Sequence, residues 1–222
     1  MRDLTAPPPS TAQAAVHAEP VCWRWVGERG LRIETGDATL ARYALLAGQE
    51  FPELEDLVPA DGSLLLVLRR GAQPSASLRA ALVADRGSAL PAGGTLHEIA
   101  VAYGGPDGPD LPALARQAGL DEAAYIRQHA AAEYGVAFLG FQPGFPYLRG
   151  LPEALHAPRR SSPRARVDAG SVAVGGSYCG IYPASGPGGW HVIGRASVSL
   201  FDPRREPPAL LRPGDRVRFV PE

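Results

Sequence analysis

The 222 residues carry a formal charge of −1, and all 22 basic residues are arginines dispersed along the chain. Dispersed arginines make no long-range positive field, so we expect no nucleic-acid binding. The lack of lysine excludes a P-loop and Schiff-base catalysis, which both need a lysine amine. The 26 glycines and 23 prolines indicate many turns between short elements.

The N-terminal stretch predicts neither a membrane anchor nor a folded element. Residues 1–19 are rich in Ala, Pro, Ser and Thr, which predicts a disordered tail. No run of about 18 apolar residues occurs, so no membrane partner is expected. Cys22 and Cys179 belong to no C-x-x-C pair and no cluster with metal-ligand spacing, so we expect no metal site. A reduced, cytoplasmic protein fits these features.

Residues 20–88 predict a small N-terminal α+β domain. Its expected elements, in chain order, are strands at 21–26 and 31–35, a helix at 38–46, strands at 54–58 and 64–68, and a helix at 78–83. The first strand pair flanks a glycine turn and predicts a hairpin. Asp37 stands where it could cap the first helix.

After a Pro-Ala-Gly-Gly linker at 91–94, residues 95–222 predict a β-barrel domain. Asp110 and Asp121 are the predicted N-cap residues of two helices. The expected strands begin with one from 96 to 101 and continue at 135–141, 171–174, 179–182, 190–193, 197–201 and 216–220. Many short strands separated by Gly/Pro turns are typical of a closed or nearly closed barrel.

The aromatic turn, residues 140–148 (GFQPGFPYL), is the first of three segments that could bind a ligand or take part in a reaction. Its prolines and glycines fix a rigid turn that could hold Phe145 and Tyr147 outward, as a shelf for a flat ligand or a partner side chain. The alternative is a stiff loop that packs these rings into the end of the barrel.

The arginine loop, residues 158–166, carries four guanidinium groups between proline and serine residues. Arginine forks recognise carboxylates and phosphates, and Arg159 and Arg164 are the candidates for this role. The alternative is a solvated basic loop.

The glycine turn lies within residues 181–195 and includes Gly188 and Gly189. Their backbone N–H groups could form an anion or oxyanion nest beside Arg195. The alternative is a tight hairpin in which Trp190 anchors the core.

His129 is the best placed of the five histidines, because its helix leads directly into the strand before the aromatic turn. Glu133, four residues later, could orient it as a proton-transfer group. The alternative is a packed core histidine. No nucleophile elbow and no second metal-spaced histidine after His97 occur, so a self-sufficient hydrolase is not supported.

Four motifs carry a family resemblance: GFQPGFPYL, PRRSSPRARVDAGSVAVGG, GIYPASGPGGWHVIGR and LLRPGDRVRF. They resemble the family that contains the B subunits of 5-oxoprolinase, the Kip-type histidine-kinase inhibitors and subunit 1 of allophanate hydrolase or carboxyltransferase domains. The resemblance covers residues 21–221 and is strongest from 134 to 195. It implies an α+β protein of two domains, in which a cyclophilin-like β-barrel follows the small N-terminal domain.

The resemblance also implies a function shared between subunits. A B subunit associates directly with a C subunit and, with an A subunit, hydrolyses 5-oxo-L-proline to L-glutamate at the expense of ATP. ATP and Mg are then expected mainly on a partner subunit, with no cofactor bound and no activity by this chain alone. Two alternatives stay open: a binding protein that inhibits a sensor histidine kinase, and one half of a biotin-dependent carboxyltransferase.

Site residues can be carried over only where this sequence matches the family. The matching positions are His129, Tyr134, Gln142, Phe145, Tyr147, Arg159, Arg164, Tyr182, Gly188, Gly189, Trp190 and Arg195. Among these we predict catalytic roles for His129, Tyr147 and Arg164, and substrate or anion binding for the others except Tyr134. The sequence departs from the family pattern at Asp168, at Tyr178–Cys179 and at Ala196, where a threonine hydroxyl is usual.

Overall fold

The structure is a computed structural model and describes residues 23–83 and 94–222. The predicted tail, Cys22 and most of the predicted linker lie outside these residues. The β-strands are β1 (Trp23–Val26), β2 (Gly30–Glu34), β3 (Leu54–Ala60), β4 (Ser63–Leu68), β5 (Leu96–Tyr103), β6 (Glu133–Leu139), β7 (Pro146–Arg149), β8 (Arg164–Val167), β9 (Ser171–Gly175), β10 (Tyr178–Ile181), β11 (Gly186–Gly188), β12 (His191–Ala196) and β13 (Arg216–Pro221). The helices are α1 (Thr39–Ala47), α2 (Ala76–Val83), α3 (Leu111–Gln117) and α4 (Glu122–Ala131).

The first half of the chain forms a four-stranded antiparallel sheet of order β1-β2-β4-β3. Alternate residues such as Leu64 and Leu66 are buried, and they pack with Leu46 of α1 and Leu78 of α2. The predicted order β-β-α-β-β-α is therefore confirmed. The predicted cap is wrong: Asp37 lies in a 3-10 turn, and α1 starts without a side-chain cap bond.

The second half closes into a seven-stranded barrel of order β10-β7-β6-β13-β5-β12-β9, in which β9 also pairs with β10. Only β13 and β5 run parallel. Inward residues such as Val172, Val174 and Phe219 fill the core. The predicted closed barrel is confirmed, and the protein is of mixed α+β class.

The strands of the barrel half differ from the prediction in four places. The predicted strand at 197–201 is wrong, since only Phe201 makes an isolated bridge, with Ala209. Strands β7, β8 and β11 were not predicted. The proline of β7 and the glycines of β11 indicate turns, and β8 lies in the segment that the sequence assigns to the arginine loop. Pairing with other strands decides their conformation.

Two helices, α3 and α4, pack beside the barrel. Asp121 caps α4 by accepting a hydrogen bond from the backbone N–H of Ala124 (2.6 Å), as predicted. Asp110 occupies the N-cap position of α3, but its side chain makes no cap bond. In the described part of the chain, no helix is long and apolar enough to cross a membrane.

Strand β3 of the sheet contacts β6 of the barrel, and a polar contact at Asp61 joins the two parts. Asp61, in the turn between β3 and β4, accepts hydrogen bonds from Arg149 (3.1 Å) and from the hydroxyl of Tyr178 (2.8 Å). The division into two separately folding domains at 20–88 and 95–222 stays a prediction.

Candidate functional site

A cluster of aromatic side chains forms a pocket of about 180 Å³ on the barrel, which we call the aromatic pocket. Its lining residues are Phe141, Phe145, Tyr147, Arg159, Arg160, Pro163, Tyr182, Gly188, Gly189 and Trp190. The ring of Phe145 meets those of Tyr182 and Trp190 edge to face, with centroids 5.2 Å and 5.5 Å apart. Such contacts fix the ring positions. The aromatic turn, the arginine loop and the glycine turn therefore converge.

The rings of the aromatic pocket differ in exposure. Phe145 is 2% exposed, so the prediction that it points outward is wrong, and packing decides its place. Tyr182 and Trp190 are also buried, whereas Tyr147 is half-buried. Phe141, which the sequence did not single out, is 58% exposed at the pocket. The pocket thus has a wall of buried rings and an exposed ring at Phe141.

Two glycines make room for these rings. A Cβ at Gly175 would lie 2.6 Å from the Trp190 ring, and one at Gly188 would lie 2.2 Å from the Tyr182 hydroxyl oxygen. Contacts this short are not tolerated between heavy atoms, so side chains are excluded at both positions. The glycine turn therefore serves close packing against the pocket.

Phe141 has a φ of 65°, in the left-handed region that disfavours a residue with a side chain. The turn holds this conformation through the hydrogen bonds from the Gly140 N–H to the Phe145 carbonyl (3.1 Å) and from the Phe145 N–H to the Gln142 carbonyl (3.0 Å). Backbone strain of about 1–3 kcal/mol persists where the surroundings fix it, often at functional sites.

Arg159 supplies a positive charge to the aromatic pocket. Its guanidinium carbon lies 5.9 Å from the centroid of the Trp190 ring, within the range of a cation–π contact. Among the residues that the structure describes, no carboxylate lies within ion-pair distance of Arg159. The group is therefore available to an anionic ligand.

Asp110 organises the rest of the arginine loop. Although only 7% exposed, it accepts two hydrogen bonds from Arg164 (2.8 Å each), one from Arg160 (3.2 Å) and one from the backbone N–H of Val192 (2.7 Å). Burial alone would raise the pKa of Asp110, but these hydrogen bonds and the two guanidinium charges hold it below its usual value. The carboxylate therefore stays ionised and fixes the loop.

The arginine loop and the glycine turn approach one another. Strands β8 and β11 pair Arg164 with Gly188, and the Arg160 N–H donates to the Gly189 carbonyl (2.8 Å). The Gly189 carbonyl thus points to the loop.

The three arginines predicted as site residues, Arg159, Arg164 and Arg195, do not share one anion site. Arg195 is paired with Asp107 and donates to the Ala169 carbonyl (3.1 Å), and it does not line the aromatic pocket. Arg164 is engaged by Asp110 and also lies outside the lining. Of the predicted arginines, Arg159 alone lines the aromatic pocket.

His129 lies in the barrel core, fully buried and outside the aromatic pocket. Its Nδ1 is 2.8 Å from the Tyr103 hydroxyl, and its Nε2 is 3.3 Å from the Cys179 sulfur. Burial lowers the pKa of His129 to about 3. Glu133 does not orient it, since that carboxylate bonds to Arg216 (3.2 Å).

The remaining positions that match or depart from the family pattern lie outside the aromatic pocket. The Tyr134 hydroxyl donates to the His129 carbonyl (2.9 Å) in the core. The side-chain oxygen of Gln142 is buried without a hydrogen-bond partner among residues 23–83 and 94–222, and this residue does not line the aromatic pocket. Asp168 pairs with Arg166, and Ala196 is buried. The described residues hold no group of three or more His, Cys, Asp or Glu side chains able to bind a metal ion.

Comparison with known families gives the class of the protein. Residues 21–211 match the family of carboxyltransferase domains, subdomains C and D. The chain therefore belongs to this family.

Within it, the chain is similar to the B subunits of 5-oxoprolinases. It is 48% identical over 177 residues to the one from Escherichia coli O157:H7, covering 78% of this chain and 80% of that protein. It is 50% identical over 123 residues to the one from Bacillus subtilis (strain 168), covering 55% of this chain and 51% of that protein.

A solved structure agrees with the fold. The crystal structure of TTHA0988 is 40% identical and superposes with a TM-score of 0.74 over 87% of this chain. The match spans 40% of the TTHA0988 chain, so this chain corresponds to less than half of that protein.

Proposed function

We propose that the chain acts as the B subunit of an ATP-dependent 5-oxoprolinase, which hydrolyses 5-oxo-L-proline to L-glutamate with A and C subunits. The observation that carries the proposal is the 48% identity to the Escherichia coli protein of that name over most of both chains. The proposal includes a cytoplasmic location and separate folding of the sheet and barrel domains. The names of these relatives favour neither a kinase inhibitor nor a biotin-dependent carboxyltransferase.

The aromatic pocket is the proposed substrate site. Its volume of about 180 Å³ is below the ~300–1,000 Å³ of pockets that hold drug-sized ligands, so it suits a ligand with a single small ring. Tyr147 and Trp190 line the pocket and offer apolar contact to such a ring. Arg159 supplies the cation that a ring carboxylate or a phosphorylated intermediate requires.

Charge and access favour Arg159 over the other predicted groups. Arg164 and Arg195 already have carboxylate partners, so we assign them to positioning the loops around the pocket. His129 is neutral at physiological pH and enclosed by Tyr103 and Cys179, so we assign it to the core rather than to proton transfer. Tyr147 keeps its proposed place at the reacting ligand, because it lines the aromatic pocket.

The chain is expected to be inactive alone. Amide resonance makes direct attack of water on a lactam slow, which is the reason to couple ring opening to ATP. The chain lacks the lysine of a P-loop, so ATP and Mg are expected mainly on a partner subunit.

The test is ATP-dependent glutamate release by the chain reconstituted with the A and C subunits of a 5-oxoprolinase. Arg159→Ala should lower kcat/KM at least ~10-fold, because a charge-assisted contact of about 1.5–3 kcal/mol is lost. The matched control is Arg127→Ala, an exposed arginine of α4 outside the pocket, which should keep full activity. Full activity of Arg159→Ala would show that the pocket is not the substrate site. Glutamate release by the isolated chain would contradict its role as one subunit of three.

A further inference from the structure

A second, larger cavity lies between the four-stranded sheet and the barrel. This cavity, which we call the sheet groove, has a volume of about 760 Å³. Arg32 on β2 lies between the buried residues Leu31 and Ile33, so its side chain points away from the α1–α2 side and toward the groove. Arg24 and Val26 of β1 also line it. The groove thus occupies the sheet face opposite the helices.

Two arginines stand side by side in the sheet groove. Arg24 is directly opposite Arg32 in the β1–β2 register. Like charges at directly opposite positions destabilise a sheet, so folding gives no reason for this pair. Arg32 contacts Glu34 (3.2 Å) at the surface, whereas Arg24 has no carboxylate within ion-pair distance among the described residues. Among the described residues, one carboxylate therefore faces two guanidinium groups, and the pair keeps an excess of positive charge.

The groove contains little negative charge to balance these groups. Among the described residues that line it, Asp61 is the single acidic one, and it is already bonded to Arg149 and to the Tyr178 hydroxyl. Arg159 adds a third guanidinium at the barrel side. A positive groove in a chain of net charge −1 selects for carboxylate or phosphate groups.

Apolar residues accompany the arginines. Val26 and Val58 line the groove and are 45% and 36% exposed, and the indole of Trp25 at its edge is 49% exposed. A small polyanion would leave these side chains in water. A polypeptide segment that alternates carboxylate and apolar side chains would cover both kinds of surface.

The sheet groove adjoins the aromatic pocket, because Tyr147 and Arg159 line both. We propose that the groove docks an extended acidic segment of the C subunit, whose carboxylates meet Arg24 and Arg32. This inference rests on the proposed function. Docking there would bring the partner to the edge of the proposed substrate site.

The test is the affinity of the full chain for a 5-oxoprolinase C subunit, measured by biolayer interferometry at low and high salt. Arg24→Glu should weaken binding at least ~10-fold at low salt and reduce the salt dependence, because a guanidinium in the interface becomes a carboxylate. The same change places a carboxylate opposite Arg32, so the melting temperature should not fall. The matched control is Arg127→Glu, which should leave the affinity unchanged.

The outcomes separate this inference from the proposed function. If the wild-type chain binds the C subunit and Arg24→Glu binds equally well, the groove inference is wrong and the proposed function stands. If the wild-type chain does not bind the C subunit, both the proposed function and the groove inference are wrong. Val26→Asp is a second probe, and its unchanged affinity in a folded variant would also overturn docking in the groove.

Discussion

Asp110→Asn removes the charge that holds the arginine loop against the barrel. The asparagine keeps one acceptor oxygen but turns an N–H₂ group toward the guanidinium groups of Arg164 and Arg160, which are donors only. Breaking a buried ion pair by removing one partner costs about 3–5 kcal/mol. The side chains of Arg164 and Arg160 are 26% and 32% exposed, so water recovers part of this loss. We expect a decrease of about 2–3 kcal/mol in the free energy of unfolding.

The measurement is urea unfolding together with thermal melting at neutral pH. In a chain of this size about 1 kcal/mol corresponds to ~2–4 °C, so the melting temperature should fall by roughly 4–12 °C. The control is Asp168→Asn, whose carboxylate is half exposed and paired with Arg166 at the surface, and which should cost less than ~0.5 kcal/mol.

Acid titration gives Asp110→Asn a second readout. Because the folded-state pKa of Asp110 is lowered, its contribution to stability is present above the unfolded pKa of about 3.9 and is lost as the pH falls through the folded value. The difference between wild type and variant should therefore shrink below about pH 4. Equal stability of the two proteins at neutral pH would refute the assignment of Asp110 as the residue that fixes the loop.

Two further predictions concern the pocket and the core. Gly188→Ala should destabilise the protein by about 1–3 kcal/mol in thermal unfolding, because its Cβ would meet the Tyr182 hydroxyl at 2.2 Å. Gly189→Ala, whose Cβ would have its nearest neighbour at 3.7 Å, is the control, and equal effects of the two would contradict the packing argument. For His129, the unfolded chain takes up a proton between about pH 6.5 and pH 3 that the buried ring does not take up. The free energy of unfolding should therefore decrease as the pH is lowered through this range, by up to ~1.4 kcal/mol per pH unit. His129→Gln should lose this part of the slope in urea unfolding, and an unchanged slope would show that another group causes it.

Local patterns were enough to predict most of the fold. The apolar run from Leu64 to Leu68, together with the turn at Asp61 and Gly62, predicts a hairpin because strand propensity and turn geometry depend on neighbours in sequence. The same holds for the cap at Asp121. The short strands with Gly/Pro turns likewise predicted a closed barrel, and the aromatic turn, the arginine loop and the glycine turn were recognised as candidate site segments.

What the sequence by itself determined, then, is the order of elements, the barrel and the segments that form the site. Only the tertiary structure decided which side chains face the pocket. Asp110 looks like a helix cap because its partners Arg160 and Arg164 are 50 and 54 residues away, and no local pattern reports a contact at that distance. Phe145 and His129 were candidates for exposed chemistry, yet packing buries both. The physical reason is that charge pairing and burial depend on contacts between distant segments, which form only when the barrel closes.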